Sequence, residues 1–116
     1  MKTFVNFTNH PAEMWESKQR GEAEKYGAII DIAFPQVDPK MTNEDITEMS
    51  KHYESRIIKC NPEMVLCQGE FTLCFAVVES LKEKGIKVAA ACSRRIVKEE
   101  GDKKIVRFEF EGFREY

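Results

Sequence analysis

No apolar run in this sequence approaches the roughly 20 residues a membrane helix needs. There is no basic excess either: 18 Lys and Arg stand against 20 Asp and Glu, a formal net charge of −2. A module that grips duplex nucleic acid non-specifically normally carries such an excess, so that class is disfavoured. Cysteine is sparse, and Cys60, Cys67, Cys74 and Cys92 form neither a CxxC pair nor a zinc spacing. Each sits in an apolar stretch, where free cysteine behaves as a small hydrophobe. They read as reduced core residues of a cytoplasmic protein. The opening Met1–Asn6 turns polar too soon for a signal peptide. No internal repeat, low-complexity tract or linker is visible.

What is present suits one core. A length of 116 residues is close to the commonest domain size, and 42% apolar residues with eight Phe can fill such a domain. Residues 1–116 therefore read as a single domain. The charged share of 33% gives a solvated surface rather than disorder, because apolar runs recur along the whole chain.

The pattern along the chain alternates. Thr3–Phe7 is a short β-rich strand, broken by Thr8-Asn9-His10-Pro11. Pro11 can open a helix reaching about Lys25, with Met14, Trp15, Ala23 and Tyr26 inward and Gly27 as its stop. Ala28–Phe34 is near-continuously apolar, as in a strand covered on both faces. Thr42 and Asp45 resemble a capping box for a helix carrying Ile46, Met49, Tyr53, Ile57 and Cys60 on one face, ended by Asn61-Pro62. Met64–Cys67 is a third strand. Phe71, Cys74, Phe75, Val78 and Leu81 follow helical spacing up to Gly85. Lys87–Cys92 is a fourth strand. Ile96–Lys98 and Ile105–Phe113 then flank a hairpin turn at Glu99–Lys103.

A βαβαβαβ order followed by an antiparallel strand predicts the α/β class: a small Rossmann-like three-layer sandwich. Its sheet would be mainly parallel, in order 2-1-3-4, with the last strand added antiparallel at the edge. In such sheets ligands bind beyond the carboxyl ends of the strands, where strand order reverses. That places Thr8, Asn9 and His10 opposite Gln68, Gly69, Glu70 and Thr72, with Ser93, Arg94 and Arg95 as a third wall. A small anionic or nucleotide ligand fits this concentration of donors.

Each residue has a structural reading beside the functional one. Gly69 could let backbone approach a ligand, or simply make a turn. Glu70 could act as acid or base, or cap the following helix through its dipole. His10 could be acid, base or phosphate ligand, or a surface residue at a helix start. Adjacent arginines in a strand point to opposite faces, so at most one of Arg94 and Arg95 enters a given crevice; guanidinium geometry matches phosphate oxygens. His52 falls on a polar helix face. Asp31 reads as a satisfied structural carboxylate, and no metal site or cofactor is expected. Phe108, Phe110 and Phe113 alternate with charged residues, and an aromatic strand face needs a cover. A second copy related by a two-fold axis is the default.

The opening Asn6-Phe7-Thr8-Asn9-His10-Pro11, with Trp15 following, resembles the start of small CRISPR-associated ancillary proteins related to the CARF (CRISPR-associated Rossmann fold) domain. The turn Gln68–Thr72 and the strand end Cys92-Ser93-Arg94-Arg95 look like the other ligand loops of such domains. The resemblance implies a homodimer that binds a cyclic oligoadenylate across its two-fold axis. In some members of that group the ligand is also cleaved by its own ribose 2′-hydroxyl without metal, which makes them ring nucleases. On that reading Asn9 and His10 hold or polarise ligand, Gln68, Gly69 and Thr72 contact ribose or phosphate, and Arg94 or Arg95 stabilises phosphate charge. Two other classes stay open: an enzyme on a small metabolite using Glu70 or His10, and a non-catalytic dimeric module assembled through the aromatic hairpin.

Overall fold

The computed structural model describes residues 1–116. Five strands form one mixed sheet: β1 (Thr3–Phe7), β2 (Ala28–Asp31), β3 (Pro62–Cys67), β4 (Val88–Glu100) and β5 (Lys103–Glu115). Their spatial order is β2-β1-β3-β4-β5. The first four are parallel neighbours, and β5 runs antiparallel to β4. The full order is therefore 2-1-3-4-5, with β5 at the edge beyond the expected 2-1-3-4. What differs is that the anticipated fourth strand and the first arm of the hairpin are one continuous strand of 13 residues. Its partner β5 is equally long, and the pair is joined at Gly101, whose φ of 60° suits a tight hairpin turn.

Three helices cover the sheet: α1 (Ser17–Glu24), α2 (Asn43–Lys59) and α3 (Phe71–Glu83). Successive strand residues point to opposite faces, and the core divides accordingly. Val5, Phe7, Val65 and Cys67 pack with Ile57 of α2 and with Leu73, Val77 and Leu81 of α3. Phe4, Met64, Leu66 and Ala89 pack with Ala23 of α1 and with Tyr26 and Phe113. All five residues of β1 are buried because both faces are covered.

The capping box expected at α2 is present: the Thr42 hydroxyl accepts from the Asp45 amide, and the Asp45 carboxylate accepts from the Thr42 amide. The inward face of α2 is also as expected, with Ile46, Met49, Tyr53 and Cys60 packed around Ile57.

Elsewhere the boundaries differ. The single helix expected over Pro11–Lys25 is a 3-10 turn at Ala12–Met14 and then α1, separated by extended backbone at Trp15 and Glu16. The break lets Trp15 set its ring edge-on against Phe4, at 6.2 Å between centroids, while Met14 is left 76% exposed. The strand expected over Ala28–Phe34 is regular only to Asp31. It is the sheet edge and only half covered, although Ile32 and Phe34 still donate to β1-side carbonyls and are buried. On α3 the buried row is Leu73, Cys74, Val77, Val78 and Leu81, so Phe71 and Phe75 face outward.

The alternation expected for Phe108, Phe110 and Phe113 is interrupted. A bulge between Cys92 and Ser93 pairs Cys92 with Gly112 and Ser93 with Phe110, leaving Glu111 as the extra residue. Phe110 and Phe113, an odd number apart, therefore share a face, with rings 4.9 Å apart. Phe113 also packs on Phe4. All four cysteines are free; Cys67 and Cys74 are buried, whereas Cys60 and Cys92 are only partly so. No helix is long and apolar enough to cross a membrane.

Candidate functional site

An open cleft of about 410 Å³ lies at the carboxyl edge of the sheet, on the face covered by α1. Its floor is built by strand parity. Thr8 continues the α1-facing row of Phe4 and Asn6 on β1, Gln68 that of Met64 and Leu66 on β3, and Ala91 follows Ala89 on β4. Ser93 follows beyond the bulge. Aromatic and apolar walls rise on either side: Met14 and Trp15 from the first connection, Phe108 and Phe110 from the hairpin. His10, Gln68 and Ser93, expected from three different loops, do meet around this one space.

A buried polar network fixes the His10 end. Asn6 is 1% exposed and faces α1 from the middle of the sheet. Its amide donates to Asp31 Oδ1 at 2.8 Å and to the His10 carbonyl at 2.9 Å. Its Oδ1 accepts from the Thr8 hydroxyl at 2.8 Å, and Thr8 Oγ1 in turn accepts from the His10 amide at 3.1 Å. Trp15 Nε1 donates to the same His10 carbonyl at 3.0 Å. Asp31 closes the circuit by accepting from the Ala12 amide. The Asp31 carboxylate is therefore satisfied within the fold, as its position in a strand suggested. A buried amide with every hydrogen bond made holds its neighbours in one arrangement. Asn6 is thus the organiser of this segment. Its signal in the sequence was a lone amide inside the apolar strand Thr3–Phe7.

Gln68 is held at the opposite end. Its Oε1 accepts from the Ala91 amide at 2.5 Å. That bond orients the side-chain amide and leaves the Nε2 donors for the cleft.

Asn9, Gly69, Glu70 and Thr72 lie elsewhere. Asn9 and Glu70 border a shallow groove beside Phe34 and Asp38, away from the cleft. A Cβ on Gly69 would lie 2.4 Å from the Phe34 ring, so what approaches this glycine closely is a core aromatic. Glu70 is the N-cap of α3, its carboxylate accepting from the Leu73 amide at 2.8 Å and from the Thr72 hydroxyl at 2.6 Å. These bonds, the Thr72 one foremost, hold the Glu70 carboxyl below the usual carboxylate range. An ionised carboxylate over the first turn of α3 occupies the place an anion would take there.

The two arginines separate as alternation demands. Arg94 pairs across the hairpin with Glu109 and forms an ion pair with Glu111 at 3.4 Å. Arg95 pairs across from Phe108, and so shares the face of Phe108 and Ser93 that borders the cleft. No group of three His, Cys, Asp or Glu side chains is arranged to hold a metal ion. Among the carboxylates at this edge, Asp31 is engaged by Asn6 and the Ala12 amide, Asp38 accepts from the Lys40 amide, and Glu70 caps α3.

Fold and site together define a small mixed α/β protein with a mainly parallel five-stranded sheet and one polar-floored, aromatic-walled cleft at its carboxyl edge. The family model described as Uncharacterized protein MJ1673 family matches residues 2–114, and the chain belongs to that family. No curated protein and no solved structure matches it.

Proposed function

We propose that this is a Rossmann-like binding protein for a nucleotide-type ligand, taken in the cleft between Trp15 and the hairpin. The observation that carries the reading is the convergence of His10 and Gln68, from just past the ends of β1 and β3, with Ser93 of β4 between aromatic walls. A planar base can lie against Phe108, which is 61% exposed and otherwise leaves a large ring in water. Gln68 Nε2 and the Ser93 hydroxyl offer edge hydrogen bonds. Arg95, one alternation step beyond Ser93 on the same face, is placed for a phosphate that projects from the cleft. Pockets of this kind combine apolar walls with a few fixed polar groups.

His10 is the residue suited to proton transfer on such a ligand, whereas Glu70 is committed to α3. The cleft is open rather than closed over, which favours a ligand extending past its rim over a small metabolite enclosed for catalysis. A cyclic oligoadenylate bound across a two-fold axis, and cut by its own 2′-hydroxyl, is the narrower form of this reading. It rests on the resemblance of the three loops. Calorimetric titration with AMP, linear oligoadenylates and cyclic tetra- and hexa-adenylate tests both levels. Binding of any of these, weakened by Gln68→Ala and Arg95→Ala, supports the cleft. Linear products from the cyclic compounds support the ring-nuclease form, and no binding by any of the series removes the proposal.

One observation favours a dimer as the working form. Val97 and Val106, paired across the hairpin on one face, are exposed on the arms that extend past the helices. A second copy would cover them. Sedimentation equilibrium reads this directly, with Val106→Lys expected to shift a dimer toward monomer.

A further inference from the structure

Cys67 and Cys74 do not line the cleft. They are seven residues apart, outside any recognised redox spacing, yet their sulfurs lie 3.6 Å apart beneath the turn between β3 and α3. Cys67 is the last residue of β3 and fully buried; Cys74 lies in the first turn and a half of α3 and is 9% exposed. The Cys74 thiol reaches the Cys67 carbonyl at 3.5 Å. The Tyr116 hydroxyl donates to that same carbonyl at 2.7 Å and stands 3.8 Å from Cys74 Sγ. One carbonyl therefore gathers a hydroxyl and a thiol, with a second thiol alongside.

We infer that Cys67 and Cys74 are a dithiol modification site that a peroxide converts into an intramolecular disulfide. The sulfurs must close from 3.6 Å to about 2.05 Å, a movement of less than about 1 Å each, within the reach of a χ1 adjustment. Cys74 is the attacking group. A hydrogen bond from the Cys67 thiol, with the Tyr116 hydroxyl oxygen close by, outweighs its burial and brings its thiol down to about 7, while Cys67 is pushed up. Glu70, at the start of α3, opposes that lowering.

The chemistry balances in two steps. The Cys74 thiolate attacks one peroxide oxygen, the O–O bond breaks, and Cys74 sulfenic acid forms with release of hydroxide. Cys67 then attacks the Cys74 sulfur, the S–O bond breaks, and the hydroxyl leaves with the Cys67 proton as water. Two thiols are oxidised to one disulfide and one peroxide is reduced to water and hydroxide, the latter taking up the proton Cys74 had lost. The bridge ties the end of β3 to the start of α3 across Gln68–Leu73, the segment that carries Gln68 to one face and the Glu70 cap to the other.

The test is thiol mapping on the whole chain. The protein is treated with equimolar hydrogen peroxide, then unfolded, alkylated and digested for mass spectrometry. The expected result is a Cys67–Cys74 crosslinked peptide, with Cys60 and Cys92 still alkylated, reversal by dithiothreitol, and a thermal midpoint several degrees higher in the oxidised form. In Cys67→Ser, dimedone should tag Cys74 alone. Full alkylation of Cys67 and Cys74 after peroxide overturns the inference. So does a bridge to Cys60, Cys92 or a second molecule, or oxidation of Cys74 past sulfenic acid in the unmutated chain. The crosslink is read on the unmutated chain, so the result does not depend on the variant folding.

Discussion

The turn Gln68-Gly69-Glu70 has two sides with opposite fates. On the α1 side, Gln68 is pinned through one atom and offers its remaining donors to open space between aromatic walls. On the α2 and α3 side, Gly69 is pressed by Phe34, and Glu70 spends its carboxylate on Thr72 and Leu73. A single residue, Gly69, separates a donor held ready from a cap fully satisfied. The difference teaches that position at the carboxyl edge of a parallel sheet is not enough to make a residue a ligand contact. Strand parity decides which side a residue leaves on, and the packing on that side decides whether anything is left to bind.

The comparison is broken most severely by removing what fixes the open side. Asn6→Leu keeps the branched skeleton but removes one hydrogen bond each from the Thr8 hydroxyl, Asp31 and the His10 carbonyl. Losing these three buried bonds costs about 2–3 kcal/mol in sum. Urea unfolding should show that loss with an unchanged m-value, and ligand affinity should fall with it because the His10 segment loses its anchor.

Gly69→Ala attacks the closed side. The added methyl meets the Phe34 ring, which is itself buried among Phe7 and the residues of the larger core. Overpacking of this kind costs about 1–3 kcal/mol. The expected result is a lowered thermal midpoint with affinity for a nucleotide ligand within about twofold of the parent. A large loss of affinity without loss of stability would mean that Gly69 does face ligand.

Much of this division was legible in the sequence, though not at the level of single residues. The alternation of strands and helices, the capping box at Thr42, the inward row of α2 and the carboxyl edge as the place for a site follow from period, turn chemistry and topology. Parity could also have been followed past the strand ends, which would have sent Thr8 and Gln68 to one face and Asn9 and Gly69 to the other. What the sequence could not show was set by contacts across the fold. Met14 turns outward because Trp15 needs Phe4, and Phe71 turns outward because α3 is seated by Leu73, Val77 and Leu81. The bulge at Glu111 resets β5, and it brings Phe113 onto the face of Phe110. The sulfur pair was invisible for the same reason: a seven-residue spacing is not a motif until a strand end and a helix start are packed together.

A finer contrast pits Gln68→Ala against Glu70→Ala. The first removes a donor set aimed into the cleft and should weaken ligand binding about tenfold, equivalent to about 1.4 kcal/mol, beyond the stability lost with the Ala91 amide's acceptor. The second should leave affinity nearly unchanged while lowering stability, since its partners belong to the start of α3. Calorimetry and thermal unfolding on the same samples separate the two. Equal losses of affinity would show that both sides of the turn meet the ligand.

The smallest expected effect is the pH dependence of the closed side. The Glu70 carboxyl is held low by Thr72 and Leu73 in the folded chain, whereas in the unfolded chain it titrates near the ordinary glutamate value of about 4.3. A depressed folded value means the folded state binds the proton less readily than the unfolded one. The contribution is therefore complete above the unfolded value and disappears as pH falls through the lower folded value. Because Glu70 is exposed, solvent screens the effect and it will be modest. Glu70→Gln keeps an oxygen that can accept from Leu73 but has no proton to gain there. Stability measured by urea unfolding at a series of pH values should consequently fall less steeply for Glu70→Gln than for the parent below the ordinary glutamate value, with the two curves parallel above it. Curves that stay parallel throughout the acid range would mean that the cap gains nothing from the charge, and that the closed side is held by packing on Phe34 alone.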